Sequence, residues 1–277
     1  MMAGKRKNRK EEASVSRGLE PMIKKTVDTL QVHVFENRNA MGMAAAAKTV
    51  EKMKETLFRQ GRVRMVFAAA PSQNEFLEHL CRADGVDWTR VTAFHMDEYI
   101  GLPEDAPQRF SRYLQEHLFR HVQPGTVHLM NPGNDPEQEC IRYARLLNEA
   151  PIDIVCLGIG ENGHIAFNDP GVADFADPVV VKTVELDEAC RKQQVHDGCF
   201  PDLASVPKTA LTLTVPALVS ARHLICVVPG PTKRQAVHRT LTGPVSPDCP
   251  ASILRTHGDC ILYLDGESYG GSQHAGN

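Results

Sequence analysis

The sequence PIDIVCLG, from Pro151 to Gly158, is the clearest indication of the fold class. It is an apolar run interrupted only by Asp153 and bounded by a proline and a glycine, which is the pattern of a short strand buried on both faces. Such strands occur in parallel sheets covered by helices on either side. Six further apolar runs are strand candidates: residues 63–70, 91–94, 179–184, 210–215, 224–228 and 260–264.

Segments with helical spacing lie between several of these runs. They are residues 73–80, 109–122, 136–147 and 232–241. This alternation predicts an α/β fold with one open, mostly parallel sheet flanked by helices on both faces, a three-layer αβα arrangement of the Rossmann-like kind. Ligands of such sheets bind at the carboxyl ends of the strands, so the residues that follow the apolar runs are the candidates for function.

The bulk composition indicates a single domain and gives no electrostatic reason to expect a nucleic-acid or membrane partner. The chain has 277 residues, of which 42% are hydrophobic, and a formal net charge of -3. We expect one domain over residues 25–267, with disordered polar ends at 1–24 and 268–277. The near-neutral charge argues against a nucleic-acid partner, and no apolar stretch reaches the roughly 18 residues of a membrane helix.

The eight cysteines are expected to be reduced thiols of a cytoplasmic protein. No two of them form a C-x-x-C motif, and the first residues lack the apolar region of a secretion signal. No cysteine joins a Cys/His cluster in the sequence, so no metal site is predicted.

The first segment with chemical potential is FHMDEY, residues 94–99, which follows the strand candidate at 91–94. A carboxylate at a strand end among apolar side chains loses hydration, which raises its pKa and makes it a better base near neutral pH. Asp97 is the candidate base. The alternative is a turn with solvated acids.

The second segment is GIGENGHIAFNDP, residues 158–170. Its glycines suggest a dinucleotide loop, but that loop requires a helix directly after it, and none is predicted here. We therefore expect no nicotinamide cofactor. His164, with Asp169 five residues later, fits a general acid/base and the carboxylate that orients it. The alternative is a core histidine beside a turn.

The third segment is VPGPTK, residues 228–233, a strand end followed by a tight turn and a helix start. Helix N-terminal N–H groups attract anions, and Lys233 adds a positive charge, so the segment is a candidate phosphate site. The alternative is a capped helix with a solvated lysine.

Taken together, these segments resemble the glucosamine-6-phosphate deaminases, which belong to a larger group that includes the 6-phosphogluconolactonases. The resemblance covers residues 34–265 and is most specific in FHMDEYIGL and GIGENGHIAFNDP. The lactonases carry an arginine at the position of Tyr99 and a Thr-Ala-Ser run at residues 165–167. Both differences favour the deaminase branch.

The resemblance implies that the enzyme opens a sugar ring, moves a proton from C2 to C1 and releases ammonia without a cofactor or metal. Asp97 then matches the proton-transfer base, and His164 matches the residue that assists ring opening. Asn162 and Asp169 match the flanking pair, where the family usually has Asp and Glu. Galactosamine 6-phosphate as substrate, lactone hydrolysis and a non-catalytic sugar-phosphate sensor are the alternatives.

The resemblance also implies a phosphate site, and here the sequence departs from the family. Lys233 matches the family's lysine, but the usual glycine-rich loop is replaced by a segment containing Ser72 and Gln73. The Ser72 hydroxyl and the N–H groups of Gln73 and Asn74 are the expected phosphate contacts. The alternative is a helix capping box formed by Ser72 and Glu75.

Further substrate contacts are expected from Gly163 and Glu98, beside His164 and Asp97. The segment that matches the family's active-site lid runs from residue 187 to about 200, and its arginine position falls near Gln194, with Arg191 close by. The sequence does not settle which residue takes that role. It also leaves open the preferred sugar epimer and the oligomeric state, a homo-oligomer being one option.

Overall fold

The computed structural model describes residues 20–270, and the outer parts of the predicted disordered ends, 1–19 and 271–277, lie outside this range. The first strand begins at Ile23 and the last helix ends at Tyr269. The folded body therefore extends a few residues into both stretches that were predicted to be disordered.

Eleven strands and nine helices, together with short 3₁₀ turns, make up the described residues. The strands are β1 (Ile23–Val27), β2 (Leu30–Phe35), β3 (Val63–Phe67), β4 (Val91–His95), β5 (Asp97–Tyr99), β6 (Thr126–His128), β7 (Ile154–Leu157), β8 (Val181–Glu185), β9 (Thr209–Leu213), β10 (His223–Val228) and β11 (Cys260–Asp265). The helices are α1 (Arg38–Gln60), α2 (Asn74–Cys81), α3 (Phe110–Leu114), α4 (Arg120–Val122), α5 (Pro136–Asn148), α6 (Glu188–His196), α7 (Val215–Val219), α8 (Arg234–Thr242) and α9 (Gly266–Tyr269). A π-helical turn, Gln115–Phe119, joins α3 to α4.

The main sheet has eight strands in the order β1-β2-β11-β10-β7-β3-β4-β6. All neighbouring pairs are parallel except β1 and β2, which form an antiparallel hairpin at one edge. Buried apolar side chains form a core on each face of this sheet. The predicted open, mostly parallel αβα fold is confirmed. No helix within residues 20–270 combines the length and apolar character needed to cross a membrane.

The second sheet corrects one prediction. The strand candidates at 179–184 and 210–215 do not join the main sheet; they become β8 and β9, which pair antiparallel with each other, and β9 also pairs antiparallel with β5. An apolar run predicts a strand but not its partner, and β5 is only three residues long. Because β5 follows β4 after one residue, this small sheet is attached at the carboxyl edge of the large one.

Helix α1 and the β1–β2 hairpin were not predicted. The Asn37 side chain caps α1 by accepting a hydrogen bond from Ala40 N, and Gly61 ends the helix with φ +77°, a left-handed conformation that glycine adopts without steric cost. One side of the helix, which includes Met41 and Met53, is buried in the core.

Tyr143 of α5 holds the end of β4 in place. Its hydroxyl accepts a hydrogen bond from His95 N at 3.0 Å and lies 2.9 Å from His95 O and 3.1 Å from His128 O. The Tyr143 side chain is fully buried. One phenol thus satisfies backbone groups of β4 and β6 immediately before the residues that carry the candidate base.

We predict that Tyr143→Phe lowers the free energy of unfolding by about 1–3 kcal/mol, because buried His95 N loses its partner. Urea denaturation measures this change. Tyr269→Phe is the matched control, since within residues 20–270 that hydroxyl accepts one hydrogen bond, from the partly exposed Lys25 ammonium, and water can replace it. Equal stabilities for the two variants would show that the Tyr143 hydroxyl does not hold this junction.

Candidate active site

A small cavity lies at the carboxyl edge of the main sheet, beside the ends of β3, β4, β7 and β10. It encloses about 60 Å³ and is lined by both candidate catalytic side chains, Asp97 and His164, and by Lys233. Residues 68–70 and 158–160, which directly follow β3 and β7, form part of its wall. The cavity therefore lies where a parallel sheet is expected to bind its ligand.

Asp97 is a carboxylate with little access to water. It is the first residue of β5, its side chain is 7% exposed, and no donor within residues 20–270 forms a hydrogen bond with it. Burial raises the pKa of Asp97 well above its ordinary value, and the charge of Glu98 raises it further. A desolvated, unpaired carboxylate that faces a cavity has the properties of a general base.

Glu98 serves the fold, which corrects the prediction that it contacts the substrate. Successive side chains of a strand point to opposite faces, so Glu98 turns away from the cavity that Asp97 faces. Its carboxylate accepts hydrogen bonds from Tyr99 N at 3.1 Å, Phe110 N at 3.0 Å and Ser111 N at 2.9 Å. Glu98 thereby anchors the start of α3 behind the site.

His164 is held by its Nδ1 atom. This nitrogen lies 3.0 Å from Asp169 Oδ1 and 2.8 Å from Asn162 Oδ1, both of which are acceptors. Nδ1 must therefore carry the proton of the neutral imidazole, which leaves Nε2 as an unprotonated base. The structure brings together the three residues that the sequence grouped here.

Asp169 supplies the charge of this group. Burial alone raises its pKa, but the hydrogen bond and charge of His164 and the hydrogen bond from Asn162 outweigh burial, and the net pKa lies below the ordinary value. Asp169 is thus ionised at neutral pH. Asn162 adds no charge, but its Nδ2 donates to Asp169 Oδ1 at 2.9 Å and to Asp187 Oδ2 at 3.2 Å.

The two glycines next to His164 have structural roles. A Cβ atom on Gly160 would overlap the His164 ring, so only glycine leaves room for the imidazole. Gly163 has φ +94°, donates to Gly160 O at 3.0 Å, and does not line the cavity. Gly163 therefore forms the turn that presents His164, and its predicted substrate contact is corrected.

The phosphate loop differs from both predicted versions. Ser72 and Gln73 line the cavity, as the functional interpretation requires. The N–H groups of Gln73 and Asn74, however, donate to Ala70 O and Pro71 O, so they are not free for phosphate.

The predicted capping box is absent as well. Ser72 lies inside a 3₁₀ turn, Pro71–Gln73, and its hydroxyl accepts from Gln73 Nε2 at 3.2 Å. Glu75 instead forms a bidentate ion pair with Arg38. Its carboxylate accepts from Arg38 Nε at 2.9 Å and from Arg38 Nη2 at 3.0 Å. Ser72 thus forms part of the cavity wall without capping a helix.

Lys233 is a buried cation without a counter-ion. It lies in the 3₁₀ turn Pro231–Lys233 before α8, is 4% exposed, and its ammonium group makes no hydrogen bond or ion pair within the described part of the chain. Burial lowers its pKa, and the more distant charges of Asp197 and Glu161 partly oppose this. A buried ammonium that faces a cavity is suited to an anionic ligand group.

A family comparison identifies the chain. The family model described as "Glucosamine-6-phosphate isomerases/6-phosphogluconolactonase" matches residues 36–262. The chain belongs to this family. It is 35% identical to a glucosamine-6-phosphate deaminase of Listeria welshimeri over 86% of this chain and 98% of the relative, and 37% identical to one of Exiguobacterium sibiricum over 68% and 73%.

Solved structures of the glucosamine isomerase/lactonase family agree with the fold. A monomeric glucosamine-6-phosphate deaminase superposes with a TM-score of 0.79 at 30% identity and covers 86% of this chain and 98% of its own. A 6-phosphogluconolactonase of Trypanosoma brucei superposes with a TM-score of 0.71 at 18% identity, covering 89% and 98%, which supports the shared fold alone.

Helix α6 lies in the segment that matches the family's active-site lid, and it forms part of the cavity wall. Helix α6 contributes Gln193 and Gln194 to the cavity wall, and Gln193 Oε1 accepts from Glu161 N at 2.8 Å. Arg191 bonds to Leu203 O and Val206 O, outside the cavity. The cavity, at about 60 Å³, is smaller than the roughly 300–1,000 Å³ of common ligand pockets, and α6 forms one part of its wall.

Some residues that build this family site had not been identified from the sequence. Asp187 caps α6 by accepting from Cys190 N and also holds Asn162, and an Asp before a helix is the sequence signal that predicts such a cap. Asn168 donates to Ile165 O and Leu213 O, both at 2.9 Å, which stabilises a turn where Ala166 has φ +49°. No local pattern predicts the latter contact, because Leu213 lies on β9.

We predict that Gly160→Ala displaces the His164 ring and lowers kcat/KM by at least about 100-fold while the fold is retained. Steady-state kinetics and circular dichroism measure the two effects. Gly258→Ala is the matched control, because a Cβ atom there meets no atom within 4 Å and should leave activity unchanged. Full activity in Gly160→Ala would mean that the observed ring position is not the working one.

Proposed function

We propose that this protein converts glucosamine 6-phosphate and water to fructose 6-phosphate and ammonia. The observation that carries the proposal is the desolvated, unpaired Asp97 carboxylate, which faces the same cavity as His164 and Lys233. The deaminase names of the relatives support this substrate.

Ring opening is assigned to His164. Its free Nε2 takes the proton of the anomeric hydroxyl and returns a proton to the ring oxygen, which yields the open-chain aldehyde. Asp169, which is ionised, stabilises the imidazolium that forms between these two transfers, and Asn162 keeps the ring in its orientation.

Isomerisation and deamination are assigned to Asp97. Its carboxylate takes the proton from C2 while the aldehyde oxygen gains a proton from the substrate's ammonium group, which gives a planar enolamine. Asp97 then delivers the C2 proton to C1. The product is an imine at C2, to which water adds, and ammonia leaves as the ketone forms. One carboxylate can serve both carbons because they are neighbours in a planar intermediate and little water is present to exchange the proton.

Lys233 and the Ser72 hydroxyl are assigned to the phosphate end of the substrate. The buried ammonium supplies charge, and the hydroxyl supplies a donor at the same wall. Lactone hydrolysis fits less well. Tyr99 is fully buried, and its ring centroid lies 5.3 Å from that of Phe167. Two aromatic rings thus occupy positions where the lactonases have polar groups.

The test of this function is product release from glucosamine 6-phosphate by the purified protein, with galactosamine 6-phosphate and 6-phosphogluconolactone assayed alongside. Equal amounts of fructose 6-phosphate and ammonia are expected from glucosamine 6-phosphate. Turnover of galactosamine 6-phosphate alone would reassign the epimer. Binding of a sugar phosphate without turnover would contradict an enzymatic role and favour a sensor.

We predict that Asp97→Asn abolishes turnover. We also predict that the variant is more stable than the wild-type protein, by a difference that grows as the pH rises. A carboxyl with a raised pKa in the folded state stabilises the protein while protonated, and this contribution is lost as the pH rises above the ordinary carboxyl pKa, 3.8. Asparagine cannot ionise. Thermal unfolding of both proteins from pH 4 to 8 should therefore show a gap that widens with pH.

The pH profile of the wild-type enzyme provides a second check on Asp97. Only the ionised carboxylate is a base, so kcat/KM should rise with pH through a pKa above 3.8. Retention of most activity in Asp97→Asn would contradict the mechanism, and a stability gap that does not change with pH would contradict the assigned desolvation.

We predict that Lys233→Ala raises KM by about 10- to 100-fold with a smaller effect on kcat, because contact with phosphate is remote from the reacting carbons. Steady-state kinetics measure both constants. Lys24→Ala, which removes an exposed lysine of β1, is the control and should change neither. A fall in kcat at constant KM would place Lys233 in the chemical step.

A further inference from the structure

Cys190 of the lid helix lies against the catalytic group. One ligand atom from each of His164, Asp169 and Cys190 lies within 4.8 Å of the other two, and all three residues are buried. Cys190 forms no Cys/His cluster along the sequence, because it is distant from His164 in the chain and reaches the site only through the packing of α6. The proposed reaction has no role for this thiol.

The three side chains form a suitable ligand set for a thiophilic divalent cation. Thiolate, imidazole and carboxylate all bind Zn²⁺, with bond lengths of about 2.0–2.3 Å, so ligand atoms around one zinc ion lie roughly 3–4 Å apart. His164 Nδ1 and Asp169 Oδ1 are already 3.0 Å apart, and the Cys190 sulfur lies within 4.8 Å of a ligand atom of each residue. Asn162 Oδ1, 2.8 Å from Nδ1, adds a neutral oxygen beside the ligands.

The charge around the thiol also favours a cation. A carboxylate oxygen of Asp169 lies within 4.8 Å of the Cys190 sulfur, so negative charge lies next to the thiol. Zn²⁺ displaces the thiol proton, and the Nδ1 proton of the neutral His164 ring moves to Nε2 when Nδ1 binds the ion. One carboxylate and one thiolate then balance the two charges of the ion.

We propose that His164, Asp169 and Cys190 form a binding site for Zn²⁺ or a similar thiophilic cation, and that the bound cation inhibits the enzyme. When the cation occupies Nδ1, the single proton of the neutral ring lies on Nε2, so His164 can no longer accept a proton from the substrate. The Cys190 bond also joins α6 to the site and opposes any outward movement of α6 that would widen the cavity for a substrate.

Cobalt binding tests the site directly. Titration of the purified, metal-free protein with Co²⁺ is expected to produce the near-ultraviolet charge-transfer band of a Co²⁺–thiolate bond. The band should be lost in Cys190→Ser and in Cys190→Ala. It should persist in Cys199→Ser, which removes another thiol of the lid segment that is outside the triad.

Zinc affinity gives the quantitative measurement. Competition with a chromophoric chelator should show that Cys190→Ser weakens the Kd for Zn²⁺ by at least about tenfold, or about 1.4 kcal/mol, whereas Cys199→Ser leaves it unchanged. The absence of a thiolate band in the wild-type protein, or a band and Kd that survive both Cys190 substitutions, would overturn the proposal. Circular dichroism shows that each variant is folded.

The inhibition part rests on the proposed function, and its failure can be distinguished. Wild-type turnover should fall with added Zn²⁺ and return with a chelator, and Cys190→Ala should need at least about tenfold more Zn²⁺ for the same inhibition. If the protein does not deaminate the sugar but still binds Co²⁺ through Cys190, the site stands and the proposed function fails. If deamination is unaffected while Zn²⁺ is bound, the inhibition part is wrong.

Discussion

The candidate active site is organised around one carboxylate, Asp97, which the fold shields from water. Strand β4 ends at His95, and β5 begins at Asp97, so the chain leaves the large sheet for the small one within a single residue. The Tyr143 hydroxyl holds the last residue of β4, and the Glu98 carboxylate holds the start of α3. Tyr143 and Glu98 hydrogen-bond to backbone groups and not to Asp97. The Asp97 carboxylate therefore lacks both water and a donor, and this raises its pKa and makes it a stronger base.

The second half of the site is connected to the lid helix. The Asn162 side-chain oxygen accepts a hydrogen bond from His164 Nδ1, and its nitrogen donates to Asp169 and Asp187. Asp187 is also the N-cap of α6. An aspartate at residue 162 would place a third carboxylate against two others, and like charges at this distance repel. Asn162 avoids this repulsion. Its amide group also connects α6, through Asp187, to the orientation of the His164 ring.

The sequence predicted the sheet more completely than the contacts within the site. The runs that became β7 and β10 are apolar along almost their whole length because they are buried on both faces, and such runs are visible without a structure. β5 is too short to produce a pattern, so the small antiparallel sheet could not be foreseen. His164 and Asp169 are close in the chain, which made their pairing predictable.

Contacts between distant segments, and the direction of individual side chains, were not predictable in the same way. Cys190 reaches Asp169 only through the docking of α6, and Glu75 is bound by Arg38 of α1, a helix that had not been predicted. The roles expected of Glu98 and Gly163 depended on orientation: strand alternation turns Glu98 away, and the left-handed turn uses Gly163 for backbone geometry.

A single turnover of glucosamine 6-phosphate that carries deuterium at C2, with enzyme in excess, shows whether one shielded carboxylate carries the proton from C2 to C1. If Asp97 does so, we expect a primary isotope effect on the reaction and measurable deuterium at C1 of the fructose 6-phosphate, because Asp97 has little contact with water. Product with no deuterium at C1, whose added hydrogen comes entirely from solvent, would contradict a single shielded base.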